Sequence, residues 1–329
     1  MPQELVAVDL ATIQERVSGE LDAVVDELRR MLLADSRMIN EVNEHLLRMR
    51  GKLFRPTLLI LSAQATGETT SQDVTLAAVV ELIHLATLVH DDSVDHSVLR
   101  RGQPTVNAMF SHQIAVIMGD YIYSRAIIEL VELDDPIPLR VMSRVTNEMT
   151  VGEMQELKAY DALDYSEDDY DALIRSKTAS LMSGACDIGA RRADTRVRDH
   201  LRRFGLALGC AFQITDDVLD YTQSQSVTGK PSGQDLREHK ITLPLIAARS
   251  RMSAAELERV ERLMAEPEPS DDLIADVIAT VRHVGGVELA REKALRLSLQ
   301  AESELDGVPD GHACQGLRDC LSHAVDRRS

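Results

Sequence analysis

Apolar residues return every third or fourth position along almost the whole chain, and that spacing sets the fold class before any other feature does. Ile13, Val17, Leu21, Val24, Val25, Leu28 and Leu32 form one such stripe, the pattern that lines one face of an α-helix. The period-two alternation of a half-buried strand is not sustained anywhere. Aromatics are only 3% with no Trp, and the mix is rich in Leu, Ala, Glu and Arg, which favours helix over sheet. Breaks are short, at Gly51 to Pro56, Ala65 to Gln72, Arg101 to Thr105, Asp134 to Pro138, Thr222 to Lys240, Glu266 to Asp271 and Gly307 to Gly311. With no linker and no internal period, residues 1–329 read as a single all-α domain, a bundle of about ten or more helices.

Two stretches, Leu76 to Asp95 and Leu206 to Tyr221, are apolar nearly all round. Such helices must lie centrally, with others packed outside them. Both end in acid. The chain has five adjacent Asp pairs, as an acidic protein can by chance, but only two continue as D-D-x-x-D. These are Asp91, Asp92 and Asp95 in DDSVD, and Asp216, Asp217 and Asp220 in DDVLD. Positions i and i+4 share a helix face, so Asp91 and Asp95 can aim at one point, as can Asp216 and Asp220. Crowded carboxylates repel unless a cation joins them, and hard divalent ions such as magnesium take carboxylate and phosphate oxygens. One such cluster alone would read as a solvated helix end; the repetition on a second apolar helix argues against that.

The formal charge of -18 disfavours electrostatic binding to nucleic acid or an anionic membrane. Anionic phosphate substrates would therefore need bridging cations and local Lys or Arg. GKLFRP supplies Lys52 and Arg55, and RRG supplies Arg100 and Arg101; Arg offers a planar fork for phosphate oxygens, Lys a point charge. Each pair alone would be an ordinary surface feature. His84 lies two turns before Asp91 on the same face; taken alone, a hydrogen-bonded core histidine is the plainer account. Cys186, Cys210, Cys314 and Cys320 show neither metal-ligand nor disulfide spacing. The N-terminus lacks a basic start and apolar core, and no uninterrupted apolar run reaches a membrane span, so a soluble cytoplasmic protein is expected.

Taken in order, GKLFRP, ELIHLATLVHDDSVDHSVLRRG, GDYIYSRA, Lys177-Thr178, FQITDDVLDY and GKPSGQDLREHKITLPLI resemble the successive motifs of the trans-isoprenyl diphosphate synthase (polyprenyl synthetase) family. The resemblance runs from Gly51 to the final residues. It implies a helical isoprenoid-synthase bundle around a deep cavity, and a homodimer that joins isopentenyl diphosphate to an allylic diphosphate. It also implies three magnesium ions: Asp91 and Asp95 hold two with Asp92 supporting, and Asp216 holds the third, supported by Asp217 and Asp220. Arg100, Lys177 and Lys230 would take the allylic diphosphate, and Lys52, Arg55, His84 and Arg101 the isopentenyl diphosphate. Thr178 and Gln213 would steady the allylic cation, with Lys240 a further lysine of the motif. This chain departs from the family pattern at Arg50, at Leu53 and Phe54, where a basic-aliphatic pair is commoner, and at His239, which replaces a frequent Gly.

The resemblance also places chain-length control four and five residues before Asp91, at Thr87 and Ala86. Thr87 lies one turn below Asp91 on nearly the same face, so its small side chain leaves depth. The stretch VIMGDYIYSRAIIELV is expected to line the far wall, with Tyr121, Tyr123 or Ile127 as candidate floors. The whole resembles enzymes making about six to ten isoprene units in a deep pocket; a geranylgeranyl-making enzyme and a non-catalytic partner subunit are the alternatives. A terpene cyclase is disfavoured because DDVLD is not the Asn/Ser/Glu-type metal motif and the isopentenyl-site residues are present. The C-terminal Arg327 and Arg328 read as a frayed tail.

Overall fold

A computed structural model describes residues 8–49, 51–159, 164–222 and 233–325. Most of them are helical. Among the described residues, the exception to helix and loop is a two-residue antiparallel ladder, Leu99 against Pro104 and Arg100 against Gln103, closing the turn after the first aspartate cluster. Several expected breaks fall between helices, at positions such as Gln64 to Ser71, Glu132 to Pro136 and Ala265 to Asp271, whereas the expected break from Thr222 to Lys240 contains a short helix, Gln234–Arg237, and its residues 223–232 lie outside the described residues. Others went unread, including Leu33 to Ser36 and Ala190 to Asp194.

The first aspartate helix runs Ser71–Val94, and every residue from Leu76 to Ile83 is buried. Burying an aliphatic side chain of this size is worth about 1.5–3 kcal/mol, so this stretch needs no polar face. By length and composition it could cross a membrane, but 56% of its most apolar window is buried inside the structure, as a core helix requires. Its start is fixed by a capping box between Thr70 and Asp73. Asp73 is fully buried and also meets Arg191 and Arg192, the latter at 2.9 Å. Removing Asp73 would leave the buried Arg191 guanidinium with Asp135, at 3.3 Å, as its remaining carboxylate; breaking a buried pair typically costs about 3–5 kcal/mol.

The second aspartate helix runs Thr195–Thr222 between two apolar clusters. Leu201, Phe204 and Leu208 join the larger core with the Phe54–Gln64 and Ser71–Val94 helices. Ile214, Val218 and Tyr221 join the smaller, with the 271–283 and 286–304 helices. Its approach to the 180–189 helix is close because Gly205 and Gly209 face it: an added Cβ would lie 2.7 Å from the Met182 carbonyl oxygen or 2.6 Å from Ala179 Cα. Just before that helix, residues Arg175–Ala179 form a π-helical turn. Such single-turn bulges are frequent at functional sites. Lys177 and Thr178 sit on it, and the glycines let Thr178 reach Gln213.

Candidate active site

Both D-D-x-x-D clusters occupy the C-terminal end of their helix, with no basic residue in the last turn. The helix dipole is negative there, so its field adds to the carboxylates and makes the two ends favourable places for cations. The first cluster turns two ways. Asp91 and Asp95 line a cavity of about 970 Å³, while Asp92 is 5% exposed and clasped by Arg100, whose Nε lies 2.9 Å from both carboxylate oxygens. The second cluster turns likewise. Asp216 lines the same cavity, whereas Asp217 accepts from the Tyr170 hydroxyl (2.5 Å) and Gln213 Nε2 (2.8 Å). Asp220 accepts the backbone N–H groups of Gln234 and Asp235, each at 3.0 Å, which fastens the segment leading to Lys240.

Electrostatics follow from this crowding. Burial, with Glu153, Asp95 and Glu156 nearby, pushes the Asp91 carboxyl up to about 7 despite Lys177. Burial also pushes Asp217 up to about 7, against the hydrogen bonds from Tyr170 and Gln213. Burial alone would lower the Lys177 ammonium, but Glu156, Asp91 and Glu153 outweigh it and hold the lysine charged. Lys177 pairs with Glu153 at 2.8 Å and with Glu156. Among the described residues no three acidic, His or Cys side chains form a ready-made metal cage. Magnesium keeps waters and binds through one or two carboxylates plus substrate phosphates. The donor set here is all oxygen.

The cavity is lined by cations as well. Lys52, Arg55, His84, Arg100 and Arg101 line the cavity with Lys177 and Lys240. Arg101, at φ 52, donates from Nη1 to the Met49 carbonyl (3.2 Å), and Leu53, at φ 49, starts the Phe54–Gln64 helix. Non-glycine residues in the left-handed region concentrate where surrounding structure holds strain. His239, where Gly is frequent in the resembling family, is a third, at φ 58. Phe54, another departure, stacks on Phe212 at 5.7 Å, one residue from Gln213. Burial, then Arg55, Arg101 and Arg100, holds His84 well below its ordinary range, so it is neutral at pH 7.

Thr178 donates to Gln213 Oε1 at 2.9 Å, so Thr178, Gln213, Asp217 and Tyr170 form one hydrogen-bonded row. Deeper, Ala86 and Thr87 line the wall, with the Thr87 hydroxyl donating back to the His84 carbonyl (2.8 Å). Of the three candidate floors only Tyr123 lines the cavity, its hydroxyl donating to Thr146 Oγ1 at 3.0 Å. Tyr121 instead donates to the Leu32 carbonyl (3.4 Å), and Ile127 packs against the core.

Lys230, Arg50, Arg327 and Arg328 lie outside the described residues. Five carboxylates of the site escaped the sequence reading: Glu81, Asp120, Glu153, Glu156 and Asp235. Glu81, one charge inside the apolar run AAVVELIHLA, was the legible one; burial raises its carboxyl against the pull of Arg55 and Arg101. Glu153 and Glu156 look like a solvated helix face until Lys177 is placed beside them.

The sequence model of the polyprenyl synthetase family matches residues 36–281. A curated relative from Rhodobacter capsulatus, an all-trans-nonaprenyl-diphosphate synthase specific for geranyl diphosphate, is 39% identical over 88% of this chain and 89% of its own. Heptaprenyl diphosphate synthase component 2 of Geobacillus stearothermophilus is 34% identical over 92% of this chain and 94% of its own. A crystal structure of polyprenyl synthase from Caulobacter crescentus CB15, complexed with calcium and isoprenyl diphosphate, superposes with a TM-score of 0.93 at 30% identity, covering 98% of this chain and 99% of that one. Calcium and isoprenyl diphosphate are thus bound by a protein of the same fold. Sequence and fold together place this chain in the polyprenyl synthetase family, whose members are transferases that build prenyl diphosphates.

Proposed function

We propose that this chain adds isopentenyl diphosphate to farnesyl or geranylgeranyl diphosphate in successive all-trans head-to-tail steps, ending at a long-chain polyprenyl diphosphate of about six to ten units. One observation carries it: a single cavity of about 970 Å³ has Asp91, Asp95 and Asp216 on its wall beside the cations, and continues past Ala86 and Thr87. Asp91, Asp95 and Asp216 would hold magnesium, three ions by the family resemblance. Bound there, magnesium supplies the positive charge that lets an allylic diphosphate depart. Asp92, Asp217 and Asp220 hold neighbouring groups in place.

Lys177, released from Glu153 and Glu156, receives the allylic diphosphate together with Lys230, Lys240 and Arg100. Lys52, Arg55, His84 and Arg101 hold isopentenyl diphosphate, with buried Glu81 orienting the two arginines. The carbon–oxygen bond of the allylic substrate breaks, and the Thr178 and Gln213 oxygens face the resulting cation, where fixed dipoles are worth most. The isopentenyl double bond, held alongside, forms the new carbon–carbon bond. The proton then lost goes to the departed diphosphate.

The chain acts as one domain, as a soluble cytoplasmic enzyme with four buried free thiols, and as a homodimer. The apolar residues Ile117, Ile128 and Val131, exposed on one face of the His112–Glu132 helix, support the last point. The name of the Geobacillus relative, a component, favours a second assembly in which this chain pairs with another subunit. The test is product analysis with magnesium, labelled isopentenyl diphosphate and geranyl, farnesyl or geranylgeranyl primer. Products of about six or more units support the proposal. A product stopping at geranylgeranyl moves the floor up, and no product from the chain alone overturns autonomous catalysis.

A further inference from the structure

Each described cation assigned above to the allylic diphosphate is already held by acid. Arg100 is clasped by Asp92 at 2.9 Å, and Lys240 meets Glu238 at 2.9 Å and Asp95 at 3.5 Å. Lys177 is held most fully: its ammonium reaches Glu153 Oε2 at 2.8 Å and also touches Glu156, two side chains only 22% and 15% exposed. Backbone packing builds this pairing. Glu153 and Glu156 lie one turn apart on one face of the Pro136–Ala159 helix. Gly152 beside them lets that helix come close to the π turn, since an added Cβ would stand 3.0 Å from Ser176 Cβ and 3.1 Å from the Lys177 backbone nitrogen. Lys177 lines both the substrate cavity, with Asp91 and Glu153, and a smaller cavity of about 210 Å³, with Glu156.

A lysine between two carboxylates presents no spare positive charge. A bare diphosphate that took Lys177 would leave both glutamates facing a new anion at short range, and in a partly buried site like charges repel more strongly than in water. Glu153 also lies near enough to Asp91 to help raise its carboxyl, so a cation held at Asp91 is felt by Glu153 and takes over the neutralising part that Lys177 plays there. We propose that Glu153 and Glu156 are positioning residues that withhold Lys177 from a diphosphate until magnesium is bound, so that the enzyme grips its allylic substrate with the metal and rejects the bare diphosphate. The proposal rests on the assignment of Asp91 to magnesium and of Lys177 to the allylic diphosphate.

The test reads binding rather than turnover. Farnesyl S-thiolodiphosphate, whose sulfur-linked diphosphate departs slowly, is titrated calorimetrically into the protein in a chelating buffer and again in saturating magnesium. Glu156→Gln, which leaves Lys177 with Glu153 alone, should tighten metal-free binding about tenfold and metal-loaded binding much less, so that the coupling between the two ligands falls. Loss of one negative charge near the site also favours an anion by itself, and a Lys177→Met background separates the two causes: there Glu156→Gln should change nothing. Glu153→Gln serves if Glu156→Gln does not fold. An unchanged metal-free affinity, an equal gain with and without magnesium, or the same gain in the Lys177→Met background would overturn the proposal. Binding is read without product, so failure of the wild type to elongate strikes instead at the proposed function.

Discussion

The two D-D-x-x-D motifs are identical in spacing and differ in what surrounds them. In the first, Asp91 and Asp95 face the cavity and Asp92 is held by a side chain, Arg100. In the second, Asp216 alone of the three lines that cavity, while Asp217 is tied to Tyr170 and Gln213 and Asp220 to the backbone of Gln234 and Asp235. One turn below Asp91 stands small Thr87; one turn below Asp216 stands Phe212, stacked on Phe54. The difference teaches that one pattern can serve two ends. The first helix presents two carboxylates to the cavity and leaves room beside Thr87; the second presents one carboxylate and spends the other two on organising the Lys240 segment and the Thr178–Gln213 row.

The strongest way to break this comparison is to remove a cavity-facing carboxylate from each motif. Asp91→Ala and Asp216→Ala should each lower kcat/KM by roughly 10³-fold or more, a loss of about 4 kcal/mol in transition-state stabilisation, with melting temperatures essentially unchanged. Steady-state kinetics alongside thermal melts would check this, and near-normal turnover in either variant would end its assignment.

Asp217→Ala should behave differently. It leaves the buried Tyr170 hydroxyl unpaired, which costs about 1–3 kcal/mol of stability, and it frees Gln213 to turn. A denaturant titration should show the loss, and a variant as stable as wild type would place Asp217 with the ligands rather than with the supports.

Thr87→Phe tests the channel on the first helix only. Its products should shorten, with the initial rate on a geranyl primer little changed. Chain-length chromatography showing wild-type products would mean that the tail runs elsewhere.

The smallest effect is on pH dependence. Asp91, with its carboxyl raised to about 7, binds its proton more tightly folded than unfolded. Its contribution to stability is therefore full below the ordinary range near pH 4 and is lost as pH rises towards about 7. Melts of the metal-free protein at pH 5 and pH 8 should show a smaller loss for Asp91→Asn than for wild type. Asp217 shares the same sign but lies off the cavity wall, so magnesium with a diphosphate should remove the Asp91 share and leave the Asp217 share. Equal slopes for wild type and Asp91→Asn would break the distinction.

The sequence by itself determined a great deal. Three-and-four spacing admits only helices, and two helices apolar all round can only be central, so Leu76–Ile83 is buried wherever the rest of the chain goes. The i, i+4 carboxylates follow from helix geometry alone, and so does the placing of Thr87 beneath Asp91. Tertiary structure decided what local spacing does not encode. Which carboxylates of each motif face the cavity depends on Arg100, Tyr170 and the Gln234–Asp235 backbone, partners 8 to 47 residues away in the chain. The π turn that carries Lys177 and Thr178 has no clear sequence signature, and neither Glu153 nor Glu156 differs from a solvated helix face until that turn brings Lys177 to them. Periodicity reports only whether a face is buried; the partner that meets a charge on that face is set by packing between helices far apart in sequence.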